Sequence, residues 1–138
     1  MPRLFYSRIY IDNLLILIIT ELNSEILKNR TKKFAHQCVK YSLDLPSSVL
    51  GIHIKRQLTR CSTSVAANYR AACLSQSKRG FVSKLSIVIE ESDECIFWLE
   101  FALDENLPNK NLDQLIKEAK ELTSIFIASR KTIQKNLK

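Results

Sequence analysis

The sequence predicts an all-α fold, an up-down antiparallel four-helix bundle, and three observations carry that prediction. Gly and Pro are scarce, two and three in 138 residues. A β-rich chain needs a turn about every 8–12 residues and draws on these residues to make it. Apolar side chains recur at alternating steps of four and three along four segments, the spacing of one helix face. The connections between segments are short, which returns each helix antiparallel to the one before it. The hydrophobic share of 46% and the mixed charge exclude a disordered chain. The length fits one domain, able to bury roughly 70% of its unfolded surface with no metal or disulfide.

The first segment runs from about Ser24 to Leu43, with Leu27, Arg30, Phe34, Cys38 and Tyr41 along its stripe. Ser24 is a candidate cap. Asp44-Leu45-Pro46-Ser47-Ser48 ends it, because the residue before a proline is pushed out of the helical region. The second segment, about Val49 to Leu74, carries Ile54, Leu58, Cys61, Val65, Asn68 and Ala72 on a heptad seam. Asn68 is the polar member, a residue type that on a seam sets helix register. The third, about Lys78 to Glu105, follows a Ser75 or Ser77 cap and carries Phe81, Leu85, Val88, Ser92, Cys95, Leu99 and Ala102, with Trp98 beside them. The loop 106–111 leads to the fourth, about Leu112 to Leu137, with Leu115, Ala119, Leu122, Phe126, Ser129 and Ile133.

Residues 24–138 thus read as the bundle and residues 1–23 as an N-terminal extension. Leu14 to Ile19 is an apolar run, but a membrane span takes about 20 such residues. Thr20-Glu21-Leu22-Asn23 is not a small-residue cleavage site. The expectation is a cytosolic extension or an extra helix, not a signal peptide or a membrane segment.

The net charge of +7 is unevenly placed. Residues 28–84 hold twelve basic side chains and one acid, Asp44, a net of +11, while both flanks are net acidic. Lys28, Arg30, Lys32 and Lys33 on the first helix, Lys55, Arg56, Arg60 and Arg70 on the second, and Lys78, Arg79 and Lys84 at the third are the candidate nucleic-acid-binding residues. Such residues neutralise phosphates without reading base sequence.

Enzymatic readings find little support. Di-iron bundles need Glu-x-x-His on two helices, but Lys33 and Leu50 stand three before His36 and His53. Phosphate-binding loops need glycines this chain lacks. Cys38, Cys61, Cys73 and Cys95 match no zinc spacing and read as small buried hydrophobes in a reducing compartment. Glu90, Glu91, Asp93 and Glu94 cannot all converge on a metal, because consecutive helical residues point in different directions. Pairing with basic residues of a neighbouring helix or subunit is their expected role, with Glu91 and Glu94 as structural polar residues beside Asn68. Arg30 and His36 form Arg-x5-His, similar to the active-site motif of HEPN ribonucleases, but on a first helix where that family has a late one. No catalytic residue, metal or cofactor is assigned.

The combination of Arg30 to Ala35, Gln57 to Arg60, Thr63-Ser64-Val65-Ala66-Ala67-Asn68-Tyr69-Arg70, Phe81 to Ile87, Glu91 to Glu94 and Trp98-Leu99-Glu100 resembles the four-helix bundle proteins encoded in intervening sequences of bacterial 23S rRNA genes. The resemblance covers about residues 24–135. Ala66 stands where that family commonly has Gly, and Ala71 where it has Glu, which removes an acid near Asn68 and Arg70. The resemblance implies a cytoplasmic bundle in a ring-shaped homo-oligomer, often a pentamer, and kinship with retroelement accessory variability proteins that bind nucleic acid and a reverse transcriptase. The expected function is non-enzymatic binding of ribosomal or structured RNA, with no membrane partner. The alternatives are a protein-binding adaptor, such as a reverse transcriptase accessory subunit, and a HEPN-like ribonuclease.

Overall fold

The computed structural model describes residues 2–137. Four α-helices follow in order: α1 Pro2–Leu43, α2 Val49–Cys73, α3 Lys78–Asp104 and α4 Leu112–Asn136. Successive helices run antiparallel and pack side by side, and α1 and α4 close the bundle across a narrower seam.

Each boundary has a local cause. Ser48 and Ser77 cap α2 and α3, their hydroxyls accepting from the backbone N–H of Gly51 and Gly80. Gly51 is a necessity. A Cβ there would lie 2.0 Å from the Pro46 carbonyl oxygen, so the α1–α2 turn closes only over a bare Cα. With no glycine to end α3, Asn106 takes the left-handed conformation (φ 55°). Its N–H bonds the Leu103 carbonyl and that of Leu107 bonds Ala102, a Schellman closure that also packs Leu107 on the core. The Tyr41 hydroxyl donates to the Pro108 carbonyl at 2.8 Å and ties the α3–α4 loop to α1.

Phe34, Ile54, Leu58, Leu85, Leu99, Leu122 and Phe126 form the centre of the core. These are stripe positions read from the sequence, and the bounds of α2, α3 and α4 agree with that reading to one residue.

Two expectations are corrected. Ser24 does not start α1, which is helical from Pro2 through the extension. No Gly or Pro interrupts the chain between Pro2 and Pro46, and the Ile/Leu-rich run has no other local stop. Asn68 is not the buried seam member. It is half-buried, with its amide donating to the Ser64 carbonyl one turn earlier. Its neighbour Tyr69 takes the interior place and packs on Phe126 with ring centroids 5.6 Å apart.

Candidate nucleic-acid interface

The site is built from the phase of α1. Phe34, Cys38 and Tyr41 point into the core. At about 100° per residue, Lys32, Lys33, His36 and Lys40 must then face outward, and all four are exposed. On one side of this ridge lies an α1/α2 groove of about 690 Å³, with Lys28, Lys32, His36 and Arg70 in its lining. On the other lies an α1/α4 groove of about 620 Å³, with Lys33, Lys40, Lys110 and Glu118. Arg70 and Lys110 face the ridge from the far walls.

Three of the sequence-selected cations are paired. Arg30 crosses to α4, where Nε and Nη2 fork onto Glu118 at 2.7 and 2.9 Å and Nη2 also reaches Glu121 at 2.6 Å. The Glu118 hydrogen bond, and then Glu121, hold the guanidinium more firmly protonated than usual. Arg60 turns to α3, onto Glu91 at 3.2 Å and Glu94 at 2.5 Å. The Arg60 hydrogen bond holds the Glu94 carboxyl below its usual range, aided by Trp98 Nε1 donating at 3.3 Å. Lys28 pairs with Glu25 one turn before it. Glu91 and Glu94 thus do what the sequence reading expected of the acidic cluster, while Glu90 and Asp93 stay exposed.

The remaining cations do not form one face. Lys55 is half-buried and points roughly 140° around α2 from the already paired Arg60, so the two do not act as a cluster. Arg56 is exposed on α2, and Lys78, Arg79 and Lys84 are exposed on the first two turns of α3. Lys32, Lys33 and Arg70 are brought together with Lys40 and Lys110, which were not singled out from the sequence. Lys40 had only the charge of its block as a signal. Lys110 lies in the net-acidic part of the chain, and only the fold brings it beside α1.

The other sequence motifs separate. Arg30 and His36 point roughly 120° apart on α1, and Arg30 is held by two carboxylates. Cys38, Cys61 and Cys95 are fully buried, with Cys61 and Cys95 sulfurs 3.2 Å apart. Among the described residues, no group of three or more His, Cys, Asp or Glu could hold a metal, and no helix is long and apolar enough to cross a membrane. One surface feature went unread: an aromatic cluster on α2 and α3. His53 meets Trp98 edge-on at 5.1 Å, and Phe97 and Phe101 flank the indole at 4.9 and 6.0 Å.

The fold and the ridge define a helical bundle with a basic flank. Residues 24–128 match the 23S rRNA-intervening sequence protein family, and the chain belongs to that family. It is similar to the crystal structure of a protein of unknown function from the S23 ribosomal protein family of Bacteroides thetaiotaomicron. The two are 26% identical with a TM-score of 0.68, over 78% of this chain and 97% of that one. Among curated proteins, none matches the chain.

Proposed function

We propose that this protein is a non-enzymatic, cytoplasmic RNA-binding bundle that works as a homo-oligomer and holds structured RNA along α1. One observation carries the reading: Lys32, Lys33 and Lys40 stand exposed in a row, with Arg70 and Lys110 across the flanking grooves. Among the described residues, none of these five is in an ion pair, unlike Arg30 and Arg60. Their charge is available to displace counterions from a phosphate backbone. The intervening-sequence family sets a ribosomal RNA as the first ligand to try.

The test is anisotropy binding of the full chain to a 23S rRNA stem-loop and to an unrelated stem-loop of equal length, across a salt series. Affinity should fall steeply with salt, and Lys32→Glu/Lys33→Glu/Lys40→Glu should weaken it by at least about tenfold and flatten the salt slope. Arg60→Ala should change it little. Binding that ignores salt or the triple substitution overturns the reading, as does no binding at low salt.

A further inference from the structure

The extension raises a question that RNA binding does not answer. Residues 2–23 continue α1 as an unbroken rod about 33 Å long. Ile11, Leu14, Leu15, Ile18, Ile19 and Leu22 lie on it, each between 47% and 57% exposed. A solvent-facing helix normally shows charge, and a helix apolar on most sides is normally buried.

Ile11, Leu15, Ile18 and Leu22 step by four, three and four, the repeat of a coiled-coil seam. This stripe lies roughly 140° around α1 from Phe34, Cys38 and Tyr41. The chain's own bundle therefore cannot cover it without breaking the helix. We propose that the stripe is a helix-pairing surface whose partner is the same stripe on a second copy of this chain.

Three arguments select that partner. The seam is self-complementary, since each copy brings the same repeat and a two-fold axis pairs them. At roughly 100 Å² a side chain, the six residues offer on the order of 600 Å² per copy. A pair then buries on the order of 1,200 Å², the lower edge of stable interfaces. Charge argues against a lipid surface. Surface-lying helices carry Lys and Arg on their polar face, but here Asp12, Glu21 and Glu25 outnumber Arg8 over residues 8–25.

The experiment is sedimentation velocity on the full chain. Leu15→Glu/Ile18→Glu should halve the mass, whatever assembly the bundle itself makes. Ile16→Glu/Leu17→Glu, off the stripe, should leave the mass unchanged. All three proteins should keep the same helical content and the same RNA affinity, which separates this inference from the RNA reading. Equal mass for the full chain and the stripe variant overturns the proposal. In that case, flotation of the full chain with phosphatidylcholine–phosphatidylserine vesicles would assign the arm to lipid. Dissociation by the off-stripe pair would also overturn the seam.

Discussion

Gly51 and Gly80 occupy the same position in two copies of one motif, the third residue of a helix after a serine cap, yet alanine should act oppositely at the two. Away from contacts, Gly→Ala in a helix gains up to about 1 kcal/mol. At Gly80 the new methyl meets only the Ser77 hydroxyl at 3.1 Å and the Ser75 side chain beyond it. The hydroxyl can give by a few tenths of an ångström, so Gly80→Ala should be neutral to about 1 kcal/mol stabilising. At Gly51 the methyl would sit 2.0 Å from the Pro46 carbonyl oxygen and 3.0 Å from its carbon. That obstacle is backbone, held by the Pro46 ring and the Ser48 cap. Relief requires the turn to move by more than about 1 Å, and overpacking of this kind costs about 1–3 kcal/mol. Set against the helix gain, Gly51→Ala should lose up to about 2 kcal/mol net. For a domain of this size that is up to about 8 °C in Tm, measured by circular dichroism melts at matched concentration. Equal shifts for the two alanines would refute the reasoning, because the motif and the propensity gain are shared and only the Pro46 contact differs.

Two further outcomes follow from the ion pairs and the thiols. The Glu94 carboxyl is lowered in the folded state by Arg60, so its contribution is full above the unfolded value near 4.5 and is lost as pH falls through the lower folded value. Arg60→Ala should cost under about 1 kcal/mol at neutral pH, given the exposure of the pair. Its stability should fall less steeply than wild type in urea titrations taken below pH 4.5, and parallel acid limbs would count against the pair. Burial raises the Cys38 thiol, and the Cys61 hydrogen bond with burial raises that of Cys95. In the native protein an aromatic disulfide reagent should therefore titrate half-buried Cys73 first and reach Cys38, Cys61 and Cys95 only on unfolding. Native-rate labelling of any of those three contradicts the packing.

The helices were legible because their signals are local. Stripe spacing, the Pro46 stop and the scarcity of glycine are properties of neighbouring residues, and they place α2, α3 and α4 to one residue. Asn68 shows where that logic fails. An ideal heptad drifts against a helix of 3.6 residues per turn, so by the fifth seam position the interior place has passed to Tyr69. Ser24 failed differently: a capping residue signals a helix start only if the preceding chain is not already helical.

The site was less legible, because a formal charge does not say what it faces. Arg30, Lys32 and Lys33 look alike in the sequence, yet Arg30 meets Glu118 and Glu121 while the two lysines meet solvent. The all-α class, the four helices and the concentration of positive charge in residues 28–84 are all written in the order of the residues. Which cations are neutralised, how Lys110 and Arg70 join Lys33 and Lys40 around α1, and the separation of the apolar extension from the core all depend on how the helices pack. The physical reason is range. Helix formation follows spacing over a few residues, whereas charge pairing and burial depend on which helices the fold sets side by side.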